Sequence, residues 1–160
     1  YSNVYGVDPN EELIQQIHKN EIFDADMIRL GNSYELPYEN KTFDCIYFFN
    51  VLHHLPTLEL YSKTIDEVDR CIKPGGIVIM IEPNNEIIYS IKRFFARVLS
   101  YVSAFFSDMY HMMAAEKKDI TFFFQNHNFI KQKYRELGYV ALRNERALHQ
   151  WTFVVKKEKQ

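Results

Sequence analysis

Glycine is scarce in this sequence. There are five in 160 residues, and none falls in the G-x-G-x-x-G spacing that lets a backbone loop approach a phosphate or carboxylate closely. Cysteine is scarcer, with only Cys45 and Cys71, and their spacing offers neither a disulfide framework nor a thiolate metal site. Cys45 falls in an apolar strand pattern and Cys71 on the inner face of a helical one, so both are expected as reduced core thiols. No metal-ligand set is expected. No apolar run is long enough to span a bilayer and no signal peptide is apparent, which makes a cytoplasmic protein the expectation. A net charge of −2 argues against a nucleic-acid surface built on bulk charge. Lys156, Lys157 and Lys159 read as a solvated end rather than a binding patch.

Apolar and aromatic residues are abundant. At 47% hydrophobic and 16% aromatic, the chain folds and fills one domain with a real core. Residues 3–8 (NVYGVD) read as a short strand ending on an acid, and Pro9-Asn10 then opens a helix with Glu11 and Glu12 in its first turn. Residues 27–30 form a second strand closing on Gly31-Asn32-Ser33. A third, over 43–49, is apolar enough to be buried on both faces. Leu58, Tyr61, Ile65, Val68 and Ile72 have helical spacing, and Pro74-Gly75-Gly76 stops that helix. Residues 77–81 make the fourth strand. Strand–helix alternation with short connections implies an α/β, doubly wound, mostly parallel sheet. Because Tyr1 stands almost inside a strand, the chain is expected to lack its N-terminal part.

The character changes after Pro83. Ile88, Ile91, Phe95, Val98, Leu99, Val102 and Phe105 share one side of residues 87–106, with Lys92, Arg93 and Arg97 on another. This predicts one long amphipathic helix or two short ones, acting as a packed element or lid, with weak peripheral membrane contact as the lesser reading. Residues 108–124 lack clear periodicity and read as a mobile connection. Residues 128–137 are helical, stopped by Gly138. Residues 139–145 and 151–156 form an antiparallel strand pair at the sheet edge.

Four polar positions stand at strand ends facing the crevice where such sheets bind small molecules: Asp8, Asn32-Ser33, Asn50 and Glu82. Asp8 suits ribose hydroxyls, or equally the start of a helix. Asn32 and Ser33 suit the edge of a base, or a turn. Asn50 faces the middle of the crevice. His53 and His54 follow at a strand-to-helix junction, where one of them meets substrate as general base or both serve structure.

The order GVDPN, then GNSYELPYENKTFDCIYFFNVLHHL, then DEVDRCIKPGGIVIMIEPN resembles class I S-adenosylmethionine-dependent methyltransferases acting on small molecules. The resemblance spans residues 4–84, and the terminal strand pair agrees with it. It implies a Rossmann-like fold and methyl transfer from S-adenosylmethionine to a small-molecule acceptor. Asp8 would take the ribose, Asn32 and Ser33 the adenine, and Asn50 the methionine part, while Glu82 with His53 or His54 would orient or deprotonate the acceptor. Such proteins carry a first strand and glycine-rich loop that this chain lacks before Tyr1, so poor cofactor binding, or none, is expected of the chain as it stands. Residues 85–124, where the resemblance fades, are expected to be a lid or acceptor-site insertion, and their apolar content suggests an apolar acceptor. The alternatives are a non-catalytic binding module or a fragment of a nicotinamide-dependent oxidoreductase.

Overall fold

A computed structural model of the chain describes residues 3–20, 24, 26–84, 86–147 and 150–159. Strand β1 (Gly6–Asp8) leads into helix α1 (Glu11–Lys19), whose Asn10 cap accepts a hydrogen bond from the Leu13 amide at 3.0 Å. Strand β2 (Ile28–Leu30) pairs with β1 in parallel. Strand β3 (Phe43–Phe49) is followed by a single 3₁₀ turn (Leu52–His54) and helix α2 (Leu58–Cys71). Thr57 caps α2 by accepting from the Leu60 amide at 3.2 Å. Strand β4 (Ile72–Pro83), helices α3 (Glu86–Leu99) and α4 (Ala104–Glu136), and strands β5 (Tyr139–Arg146) and β6 (Gln150–Lys157) complete the chain.

The strands form two sheets, β1-β2 and β3-β4-β6-β5. β3 and β4 are parallel, whereas β6 runs antiparallel to both β4 and β5, which is the terminal strand pair the sequence predicts. Between Phe43↔Ile72 and Cys45↔Ile77 the register jumps, so Lys73, Pro74, Gly75 and Gly76 bulge out before regular pairing resumes. The glycines have a steric reason. Gly75 has φ +81°, and a Cβ on Gly76 would sit 2.5 Å from Ile72 Cγ1 and 2.9 Å from the Lys73 carbonyl.

The core lies on one face of the four-stranded sheet. Val78 and Met80 of β4 face Val155 and Phe153 of β6, and Tyr61, Ile65 and Val68 of α2 close over them with Phe123, Ile130 and Tyr134 of α4. In the same alternation Glu82 follows Met80 and pairs with Trp151, so an acid occupies a fully buried position that the pattern assigns to an apolar side chain. A ring cluster of Tyr5, Tyr38 and Phe43 joins the small sheet to the large one. Arg70 of α2 ties down the intervening loop through the carbonyls of Leu36 and Tyr38.

Four expectations are corrected. β3 is not buried on both faces: Phe48 points into the core, while Tyr47 and Phe49 are about half exposed and stack on each other on the opposite face. Cys45 lies in the same alternation and is exposed, so only Cys71 is a core thiol. Residues 108–124 are not a mobile connection but the middle of α4. That helix does have a stripe, Met113, Ile120, Phe123, Ile130 and Tyr134, at separations that repeat every three to four residues. Exposed Phe105 and Met112 and partly buried Phe122, Phe124 and Phe129 put apolar residues on its other sides and hide the stripe. The segment after Pro83 is two helices rather than one, with Tyr101 and Val102 at their junction. Residue 85 and the Ile88 side chain lie outside what the structure describes. Lys157 is no loose end either: its ammonium binds the Asp69 carboxylate at 2.7 Å and the Asp69 carbonyl at 2.8 Å.

Candidate active site

The site residues stand where parallel strands end. At the end of β3 the chain turns at Asn50, which has φ +55° and donates its amide to the Ile81 carbonyl at 2.9 Å. Asparagine tolerates this left-handed conformation better than most residues. Leu52 and Leu55 then plunge into the core and fix the 3₁₀ turn between them.

That turn wraps around Glu82. One carboxylate oxygen, Oε1, accepts the amides of Val51 and Leu52 at 2.9 and 2.8 Å. The other, Oε2, lies 2.7 Å from Nδ1 of His53. Glu82 is fully buried and His53 nearly so. With a carboxylate as its partner, His53 donates from Nδ1, and its Nε2 is left facing away from Glu82. His54 is exposed and lies against it, with ring centroids 4.1 Å apart. The buried hydroxyl of Tyr61 has no hydrogen-bond partner among the described residues. Burial, and then the negative charges of Glu82 and Asp119, hold its pKa far above the ordinary phenol value.

The structure therefore brings His53, His54 and Glu82 together, with Asn50 at the mouth of the same turn. Asp8 and Asn32 form a second group at the ends of β1 and β2, joined by the Gly31 amide donating to the Asp8 carbonyl at 3.1 Å. Oδ1 of Asp8 accepts from the Asn10 amide at 2.8 Å, so this acid does organise the start of α1, while Asn10 is the cap itself. The side chain of Asn32 has no partner among the described residues, and its backbone bridges to Glu35. Ser33 is committed to α2, its Oγ lying 3.1 Å from Thr64 Oγ1.

Two residues that the sequence did not single out also belong here. Glu116 of α4 comes close to the histidine pair, and Tyr89 of α3 donates to the Met113 carbonyl at 2.7 Å beside it. Glu116 lies in the stretch whose helical stripe is masked, so no local signal marked it.

Comparison with known proteins bears on this arrangement. Residues 1–80 match the family profile described as "Methyltransferase domain". A demethylmenaquinone methyltransferase of Bacillus mycoides (strain KBAB4) is 30% identical over 111 residues, covering 67% of this chain and 45% of that protein. One of Staphylococcus aureus (strain JH9) is 25% identical over 145 residues, covering 88% and 58% respectively. The chain thus spans about half the length of the curated relatives it matches. Among solved structures, a SAM-dependent methyltransferase from Methanosarcina mazei superposes with a TM-score of 0.58 at 13% identity, over 99% of this chain and 83% of that one. The fold is therefore the Rossmann-like α/β fold with a mixed sheet. The chain belongs to the methyltransferase-domain family, the class I S-adenosylmethionine-dependent methyltransferases.

Proposed function

We propose that the full-length protein transfers a methyl group from S-adenosylmethionine to a small-molecule acceptor with an apolar portion. The observation that carries this reading is the buried Glu82–His53 pair, set by the 3₁₀ turn at the ends of two parallel strands beside the exposed His54. The residues present suit the cofactor in part. Asp8 engages one carboxylate oxygen locally and has the other for ribose hydroxyls, the unpartnered amide of Asn32 suits adenine, and Asn50 stands at the turn where the methionine part would run. Ser33 acts by positioning that strand end through Thr64. When bound, the cofactor supplies an activated methyl group on sulfur. The chain's own residues then have to align the acceptor, which contributes about 7–11 kcal/mol in well-oriented systems. The His53–His54 pair takes up or displaces the acceptor's proton, an effect on the order of 10²–10⁴-fold.

Residues 85–124 are the lid over that acceptor. Tyr101 is 84% exposed and Val102 78%, and Phe94, Phe95 and Phe105 also face outward. This surface suits an apolar acceptor such as the quinones named for the curated relatives, and a weak contact with the lipid surface from which such a molecule is drawn. Among the described residues β1 pairs only with β2, and β3 only with β4. The unpaired edges support a further strand lying between β1 and β3, and the exposed Tyr47 and Phe49 support a further layer over that face.

Calorimetric titration of the full-length protein with S-adenosylhomocysteine tests this. Saturable binding, together with methyl transfer to a demethylated quinol, is the expected result. Absence of heat favours the reading that the unpaired edges support equally, a non-catalytic module that binds a partner.

A further inference from the structure

Glu116 and the histidine pair make a constellation that acid–base chemistry alone does not account for. One ligand atom from each of His53, His54 and Glu116 lies within 4.8 Å of the others. The three differ from a chance meeting of polar groups in how two of them are held. His53 is buried and its Nδ1 is committed to Glu82, whose other oxygen is fixed by two backbone amides. A carboxylate behind the imidazole orients the ring and fixes its plane, which is how metal-binding histidines are supported. Glu116 is partly buried, and Oε2 lies 3.5 Å from the Tyr89 hydroxyl. Arg93 is close enough to influence Tyr89, yet Glu116 forms no ion pair with it or with any other cation among the described residues.

We propose that His53, His54 and Glu116 form a binding site for a divalent cation of the zinc class, with Glu82 orienting His53 from behind. Two imidazoles and one carboxylate with an open position is a ligand set used for catalytic zinc. Ligand atoms at about 2.0–2.1 Å from a tetrahedral zinc stand roughly 3.4 Å apart, so the trio needs only a small closure. The flexible Glu116 side chain supplies that closure, whereas His53 is already fixed. A quinol hydroxyl held at the open position would ionise more readily, its proton leaving to solvent because the ligating histidine nitrogens are occupied. The oxyanion's electron pair would be pushed to the ring carbon, which forms the new carbon–carbon bond as the carbon–sulfur bond breaks and then loses its own proton. This use of the cation rests on the methyl-transfer reading; the site itself does not.

Binding is tested on the full-length protein, stripped with a chelator, by titration with Zn²⁺ in a calorimeter and with Co²⁺ by visible absorption. One cation per chain is expected, with the intense bands of low-coordinate Co²⁺. His54→Ala and Glu116→Gln alter groups at least partly exposed and each should weaken binding by at least about 100-fold, while Glu82→Gln weakens it by about 10–100-fold. Circular dichroism confirms that each variant is folded, and His54→Gln replaces any that is not. Cys45→Ser removes the exposed thiol and should leave affinity unchanged. The proposal is overturned by no binding at about 1 mM cation, by affinity that survives both His54→Ala and Glu116→Gln, or by affinity that vanishes with Cys45. S-adenosylhomocysteine is titrated into the same preparation. Cation binding without cofactor binding upholds the site and removes the methyl-transfer reading, and cofactor binding without the cation removes only the site.

Discussion

Nδ1 of His53 lies 2.7 Å from Oε2 of Glu82, both side chains are buried, and the opposite oxygen of the same carboxylate holds the amides of Val51 and Leu52. One acid thus terminates β4, caps the 3₁₀ turn and aims an imidazole. Glu82→Ala leaves three donors without an acceptor. At about 1–3 kcal/mol for an unsatisfied buried group, offset in part by local rearrangement, the expected loss of stability is about 3 kcal/mol, measured by urea denaturation. Glu82→Gln keeps an oxygen for the amides and costs less stability, about 1–2 kcal/mol. In the full-length protein it should lower kcat by about 100-fold while leaving KM for the methyl donor nearly unchanged. An unchanged kcat removes Glu82 from the acceptor chemistry.

Arg70 is the latch between the loop after β2 and helix α2. Its guanidinium donates to the Tyr38 and Leu36 carbonyls at 2.7 and 3.0 Å, to Asn40 Oδ1 at 3.0 Å, and to both oxygens of Glu67 at 2.8 and 2.7 Å. The guanidinium in turn holds the Glu67 carboxyl below its ordinary range. Arg70→Ala should cost about 2 kcal/mol and raise hydrogen exchange in residues 36–40 ahead of the rest of the chain. Lysine cannot reproduce this fork of donors, so Arg70→Lys should recover less than half of the loss. Full recovery by lysine would show that charge, and not the fork, is what matters.

Gly76→Ala should destabilise by about 1–3 kcal/mol, because the added Cβ meets the backbone carbonyl of Lys73 as well as Ile72. On an Ile72→Ala background, which removes Cγ1, Gly76→Ala should recover only the side-chain part of that cost. A double variant as stable as Ile72→Ala alone would place the whole clash on Ile72.

His127 gives the fold an acid-sensitive point. Its Nδ1 donates to the Phe124 carbonyl at 2.9 Å, Arg146 donates to its Nε2, and the ring packs against Phe123 and Trp151. Burial first, then the charges of Lys131 and Arg146, push its pKa below the ordinary histidine value. The unfolded chain therefore takes up this proton at higher pH than the folded one. Stability is unaffected well above the unfolded value of about 6.5, and it falls as pH drops from there through the lower folded value. Urea midpoints at about pH 7.5 and about pH 5.5, on either side of the ordinary histidine value, should differ less in His127→Gln than in the parent. An equal difference would show that other groups carry the acid sensitivity.

The unpaired edges of β1 and β3 carry a prediction of their own. Supplying the proposed strand should protect the amides of β1 and β3 from exchange and raise affinity for S-adenosylhomocysteine, and the layer proposed over that face should reduce solvent access to Tyr47 and Phe49. Unchanged protection in β3 would remove the inserted strand from the proposal.

How much was legible in the sequence differed from element to element. Helix α1 could be read because Asn10 and the first-turn acids Glu11 and Glu12 are local signals, and α2 because Leu58, Tyr61, Ile65 and Val68 keep helical spacing. The strand ends were legible for the same reason: Asp8, Asn50 and Glu82 each interrupt an apolar run. Helix α4 was not, because its core stripe is one face among several apolar ones, and only packing against α2 and the sheet selects which face is buried. The outward face of β3 failed in the opposite sense. An apolar pattern states that a surface suits burial, and it does not say what covers it.

Residue order alone determined the α/β alternation, the terminal strand pair, the stop after α2 near Pro74-Gly75-Gly76 and the family resemblance, since each depends on side chains within a turn or two of one another. Tertiary structure decided the rest. That Glu82 faces inward opposite Trp151, that its carboxylate holds the turn carrying His53, and that Glu116 arrives beside the histidines from a helix 62 residues further along the chain (116 minus 54) are matters of strand register and helix packing. Long-range contacts fix such pairings, and no local pattern encodes them.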